Sequence, residues 1–192
     1  MLYYCIIYLL RPSMILIYFL FTPIIFFEYL HQYIFSAKYD KTYDPYTIKD
    51  TIHDNLPEPI FDMSILNDIT VTIVITSTVC FYYVDLFYVF LFARIVRIIC
   101  IFLLKLPNPY KNAHLERERS HDLIVSGHTI SYIIVLLGVN RLSIFYTMAG
   151  SFILSHYFWY IIKKQHHYSL DVFLGIYVTL SGHVILTHFN LI

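Results

Sequence analysis

Charge is what this sequence has least of. Asp, Glu, Lys and Arg together make up 14% of its 192 residues, where a soluble domain carries about a quarter. Thirteen basic and thirteen acidic side chains cancel to a net charge of +0, so there is no basic excess to attract nucleic acid. Cysteine is scarce and odd in number, and Cys5, Cys80 and Cys100 all fall inside apolar runs. That pattern argues against a disulfide framework or a thiolate metal site and reads as three small buried hydrophobes. The five glycines form no phosphate-cradling loop of the nucleotide type. No tandem repeat or low-complexity tail is visible. The opening "MLYYCIIYLL" has neither a basic lead-in nor a small-residue cleavage site, so no cleaved signal peptide is expected.

Apolar residues fill the gap: 58% of the chain is hydrophobic, 19% aromatic, and the mean hydropathy is +0.64. Roughly 20 mostly apolar residues are needed to cross the hydrocarbon core of a bilayer as a helix. Runs at 13–30, 65–83, 86–106, 123–139, 142–162 and 170–189 qualify. The expected fold is therefore all-α, a polytopic membrane protein built as a six-transmembrane-helix bundle, because irregular backbone facing lipid is not tolerated. The chain divides into an N-terminal segment with the first span (1–35), a polar loop (36–64) and a five-helix core (65–192).

The polar stretch at 36–62 is acidic and holds three prolines, which suggests an ordered loop or an interfacial cap. A second polar loop runs from 105 to 122. Short links at 82–85, 140–141 and 163–167 join the remaining spans. Counting spans puts both long loops, "SGHT" at 126–129 and "HHYSLD" at 166–171 on one side of the membrane. Lys38, Lys41, Lys49, Lys105, Lys111, Arg117, Arg119, Lys163 and Lys164 fall on that side, against Arg11 and Arg141 on the other. By the positive-inside rule alone, that side would be cytosolic.

Three residues carry chemistry: His128, His167 and Asp171. His167 and Asp171 are four apart at the start of the last span, so on a helix they share a face. A carboxylate there fixes one imidazole tautomer and leaves the other nitrogen to attack, and it sits where the helix macrodipole favours an anion. His128 comes from the matching end of another span. Two facing imidazoles suit a double displacement at phosphorus, one as nucleophile and one as acid and then base. Ser126, Gly127 and the backbone N–H groups of a helix start can hold phosphate oxygens. A lone histidine in such a chain is more often a packing or interfacial residue, and His31, His114, His121, His156, His166, His183 and His188 are read that way. Serine and glycine are also common at membrane helix contacts.

"SGHT" followed about forty residues later by "HYSLDV" resembles the C-terminal half of the sphingomyelin synthase family, within the lipid phosphate phosphatase superfamily. Asp122, four before Ser126, stands where the family has an aspartate. "RIICIFLLKLPNP" at 97–109 is similar to its third-span block, and "LPEPIFD" at 56–62 to a loop motif ahead of its second span. The likeness covers about residues 56–189. It implies a six-span transferase that moves a phospho-headgroup from a glycerophospholipid to the primary hydroxyl of ceramide and releases diacylglycerol. His167 would be the nucleophile, Asp171 its orienting acid, and His128 the general acid and then base. Ser126, Gly127, Asp122, Tyr168 and Arg97 would bind substrate, with Lys163 and Lys164 as further phosphate contacts.

No metal and no cofactor are implied. The partners are the phospholipid donor and the ceramide acceptor within the bilayer, no nucleic acid is expected, and a homo-oligomer is left open. The family's active site faces the lumen or cell exterior, in the Golgi, endoplasmic reticulum or plasma membrane, against the Lys/Arg count. Ser120-His121 replaces the family's Cys-Gly, and the Tyr-His closing its last span survives only as "THF" with His188. The resemblance leans to phosphocholine, with ethanolamine and inositol headgroups as alternatives. A lipid phosphate phosphatase is the runner-up, but Val125 stands at that branch's proline and Tyr160-Ile161 at its Ser-Arg. A non-enzymatic membrane scaffold is the third reading.

Overall fold

The computed structural model describes residues 50–103, 125–164 and 166–192. The expected first span at 13–30, the loop at 105–122 with Asp122, and Cys5, His31, His114 and His121 lie outside the described residues. Within them the regular structure is entirely helical. A short helix α1 (Thr51–Asn55) and a 3-10 turn (Ser64–Asn67) precede α2 (Ile69–Tyr82), α3 (Val84–Leu103), α4 (Gly127–Asn140), α5 (Ile144–Lys163) and α6 (Ser169–His188). Each of the last five falls on one of the apolar runs read from the sequence.

The helix boundaries follow from caps. Asp68 offers its side chain to the Val71 N–H at 3.4 Å just ahead of α2. Ser126 caps α4 by accepting from the Thr129 N–H at 3.2 Å, and Ser143 caps α5 through the Phe145 N–H at 3.3 Å. Each serves an N–H that has no partner within its own helix. The expected link at 82–85 shrinks to Tyr83, because Asp85 lies in the first turn of α3, where a carboxylate is favoured. Arg141 binds both Asp85 oxygens and lies 4.9 Å from the Tyr83 ring. That closes the end of the bundle remote from the histidines.

Helix α4 is the hub, packed against α2, α3, α5 and α6. Around it, one apolar cluster joins Cys80, Leu86, Phe87, Phe90, Val125, Ile130 and Ile134. A second joins Tyr132, Leu154, Tyr157, Tyr160, Ile161 and Val172. Cys80 is buried as expected, whereas Cys100 is only half-buried, and both are free thiols. The starts of α4 and α6 approach closely. A Cβ on Gly175 would lie 2.8 Å from Thr129 Cβ and 3.2 Å from the Ser126 carbonyl oxygen. Only glycine lets the two helix starts come this near.

Large apolar side chains also line the outside. Phe145 is 78% exposed, Phe152 75% and Tyr177 69%. Among the described residues, α6 is the one helix long and apolar enough to cross a membrane, and Val71–Tyr82 and Gly127–Asn140 are shorter apolar helices. Helices α2 and α4 have 14 residues each, about 21 Å at 1.5 Å per residue.

Candidate active site

The site is assembled where α4 and α6 begin. The Ser126 N–H donates to the Asp171 carbonyl at 3.1 Å, tying the lead-in of α4 to the first turn of α6. Ser126 is fully buried, and its hydroxyl is engaged as the helix cap. His128 follows at the second position of α4. Its ring centroid is 6.3 Å from that of His167, with the planes inclined at 61°. Residues 39 positions apart in the chain thus face each other at one end of the bundle.

His167 is not on the helix, contrary to the expected placement. Asp171 takes the Tyr168 N–H on its Oδ2 at 3.0 Å. This makes Tyr168 the cap residue, starts α6 at Ser169 and leaves His167 in the turn before it. The turn is closed by the N–H groups of His166 and His167, which both donate to the Ile161 carbonyl, at 2.9 and 3.3 Å. His167 Nδ1 still comes within 3.7 Å of Asp171 Oδ2, with the two side chains 10% and 0% exposed. That separation suits charge pairing and is longer than a good hydrogen bond. The expected facing of acid and imidazole is present, reached by a capping turn instead of a helical i,i+4 pair.

Arginine supplies the positive charge. Arg97, 4% exposed, donates through Nε to the Val125 carbonyl at 2.7 Å. Arg94, one turn earlier on α3, reaches the same place: Nη2 donates to the Gly127 carbonyl at 3.4 Å and the Ser131 hydroxyl at 3.3 Å. A Cβ on Gly127 would stand 2.8 Å from Arg94 Nη1 and 3.5 Å from the Cζ of each arginine. A side chain at Gly127 would have to displace the end of Arg94, while Arg97 lies at ordinary contact distance. Arg94 was not singled out in the sequence, although an ionisable residue in an apolar helix is a functional candidate by default and i,i+3 spacing puts it beside Arg97.

The segment 50–68, which holds the described part of the polar stretch at 36–62, covers this end of the bundle. Asp50 caps α1 through the N–H groups of Ile52 and His53, at 3.1 and 3.2 Å. The same carboxylate accepts the Ser169 N–H at 2.6 Å and its hydroxyl at 2.9 Å. Burial works to raise the Asp50 carboxyl, but its bonds from Ser169, His53 and Ile52 outweigh this and hold it below the usual range. Further along, Trp159 donates to the Pro57 carbonyl at 2.8 Å and Tyr132 to the Leu66 carbonyl at 2.7 Å. Lys164 pairs with Glu58 at 2.9 Å, and Lys163 reaches the His53 carbonyl at 3.5 Å. Both lysines thus reach the cap.

Tyr132, Tyr157, Tyr160 and Tyr168 are buried and Trp159 is half-buried, with the Tyr160 ring 6.0 Å from that of His166. Burial first, then the Asp171 and Asp50 carboxylates, pushes the Tyr168 hydroxyl up to about 12, which keeps it a neutral donor. Burial likewise lowers His166, favouring its neutral form beside Tyr160.

No model of a known family, no curated protein and no solved structure matches this chain.

Proposed function

We propose that this chain is an integral-membrane phosphotransferase of the sphingomyelin synthase type, exchanging a phospho-headgroup between a glycerophospholipid and ceramide. The observation that carries the reading is the pairing of His128 with His167 at 6.3 Å, with Asp171 behind His167. Two imidazoles at that distance can both reach one phosphate. With Nδ1 turned to the carboxylate, Nε2 of His167 is the attacking nitrogen. It bonds to phosphorus as the phosphorus–oxygen bond to diacylglycerol breaks, and His128 gives the leaving oxygen its proton. In the second half the ceramide hydroxyl attacks, the phosphorus–nitrogen bond breaks, and His128 takes the hydroxyl proton. One phosphodiester replaces another, so no nucleotide is consumed.

The bilayer setting is supported by the exposed Phe145, Phe152 and Tyr177, which would be a liability in water. In this reading helices α2 to α6, with the apolar run at 13–30, are the six spans of the bundle. Helix α4, about 21 Å long, is short for a hydrocarbon core about 30 Å thick, which sets the histidines below the surface where lipid headgroups begin. Residues 50–68 hold five acidic side chains (Asp50, Asp54, Glu58, Asp62 and Asp68) and no lysine or arginine. An anionic cap over the site favours a cationic headgroup, choline or ethanolamine, over inositol, and the resemblance leans to phosphocholine. We place the active site on the lumenal or outer face of the Golgi, endoplasmic reticulum or plasma membrane.

Incubating the purified chain with headgroup-labelled phosphatidylcholine and ceramide tests the reading. Label appearing in phosphoceramide, with diacylglycerol released in equal amount, is the expected result. Label released to water as choline phosphate would make the chain a hydrolase, and no turnover with any headgroup would leave a scaffold.

A further inference from the structure

We propose that residues 56–67 are an interfacial anchor, which seats Ile60, Phe61 and Ile65 among the acyl chains of the leaflet that holds the histidine site. The inference rests on the membrane reading and adds a lipid contact to it. Both sides of this short stretch are apolar. Leu56, Met63 and Leu66 pack inward on the cluster of Tyr132, Leu154 and Tyr157. Ile60, Phe61 and Ile65 stand outside it, 73%, 60% and 68% exposed. A segment that is apolar on its outer side as well as its inner one is poorly suited to water.

Its depth and its hydrogen bonding suit a bilayer. The Phe61 N–H meets His156, seven residues before Lys163. At 1.5 Å per residue, that contact lies about 10 Å along α5 from its lysine end. A protein docking from water would have to enter the bilayer to reach this level, whereas acyl chains are already there. Non-helical backbone is tolerated at such depth only where the protein satisfies it, and here the bundle does so. Pro57 and Pro59 have no N–H to satisfy. Trp159 donates to the Pro57 carbonyl at 2.8 Å, His156 accepts the Phe61 N–H at 3.2 Å, and Tyr132 donates to the Leu66 carbonyl at 2.7 Å. Tyr157 donates to the Asn67 side chain at 3.3 Å. The charges stay at the polar edge: Glu58 pairs with Lys164, and Asp62 turns to the Ser64 N–H at 2.8 Å and to Tyr160, one turn short of Lys163. Tryptophan and tyrosine favour this boundary between headgroup and acyl chain.

Trp159 is the one tryptophan of the chain, so tryptophans can be placed singly in a Trp159→Phe background. The full chain is reconstituted in nanodiscs of phosphatidylcholine with and without bromine on the acyl chains. Phe152→Trp, at an exposed position on α5, reports on the membrane reading, while Ile60→Trp and Ile65→Trp report on the anchor. We expect brominated lipid to remove at least half of the emission at all three positions, and acrylamide in the water to remove little. Should Trp159→Phe fail to fold, the added quenching of Ile60→Trp over wild type, both keeping Trp159, reads the same quantity. Quenching by bromine at position 152, with position 60 or 65 left to acrylamide, would overturn the anchor and leave the membrane reading standing. No quenching by bromine at any of the three would overturn both.

Discussion

Two histidines eleven residues apart are both nearly buried, and the chain uses them in opposite ways. His156 is 8% exposed and meets a main chain: its Nε2 accepts the Phe61 N–H at 3.2 Å. Its ring sits between Phe61 and Trp159, with centroids 5.4 and 5.2 Å away. His167 faces groups that themselves exchange protons, the His128 ring and the Asp171 carboxylate. An imidazole pinned by backbone and aromatic edges joins the cap to α5. An imidazole among other titratable groups can change its protonation during a reaction. Residue type and burial are nearly matched, so the partners decide the role.

The widest test of that contrast replaces each ring by a methyl group. His167→Ala should lower label transfer about a thousandfold or more, as loss of a nucleophile does in other enzymes, with the folded yield retained. His156→Ala should keep turnover per folded molecule near that of wild type. It should lower stability by about 2–3 kcal/mol, from an unsatisfied Phe61 N–H and the cavity left behind. Denaturant midpoints and single-turnover rates on both variants read this out. A folded His156→Ala that does not turn over would erase the distinction.

A smaller effect separates the two glycines of the site. Gly127 faces the ends of flexible arginines, whereas Gly175 faces Thr129 Cβ and the Ser126 carbonyl. Gly175→Ala forces α4 and α6 apart and should destabilise by about 1–3 kcal/mol, the range for overpacking a core. Because Ser126 is bonded to Asp171 across this contact, the spacing of His128 and His167 should widen as well. Transfer should then fall by more than the loss of folded protein explains. A Gly175→Ala chain with unchanged melting would mean that the helix starts do not need their close approach.

How far the sequence reveals this arrangement depends on the range of the interaction. The helices were legible because apolar runs and their polar breaks are local, and five of them fall where α2 to α6 lie. His128, His167 and Asp171 were legible as a set because their spacing at two helix starts is a local signature. Three features were not. The exact seat of His167 turned on Asp171 capping α6, and i,i+4 spacing alone cannot tell a helix from the turn before one. Arg94 gained meaning only when α3 packed on α4 beside Gly127. Asp50, one acid among many in a polar loop, reaches Ser169 across 119 positions, a contact no periodicity announces. Lys163 and Lys164, candidate phosphate contacts in the sequence, reach His53 and Glu58 of the cap in the structure.

The smallest effect concerns how that cap is fastened to the helix that carries Asp171. Partial burial works to raise the Asp50 carboxyl, but bonds from Ser169, His53 and Ile52 outweigh it and hold the group below its ordinary value of 3.8. A carboxylate with a lowered folded-state value contributes stability that is fully present above the unfolded value and is lost as pH falls through the folded one. Its contribution should therefore be complete at pH 6 and decline from about pH 4 downward. Much of the group is open to water, so the effect is modest. Asp50→Asn retains an oxygen for the Ser169 N–H but not the charge. The gap in melting temperature between wild type and Asp50→Asn should be present at pH 6 and close as the pH is lowered toward 3. A gap that stays constant, or grows on acidification, would show that Asp50 fastens the cap by shape and not by charge.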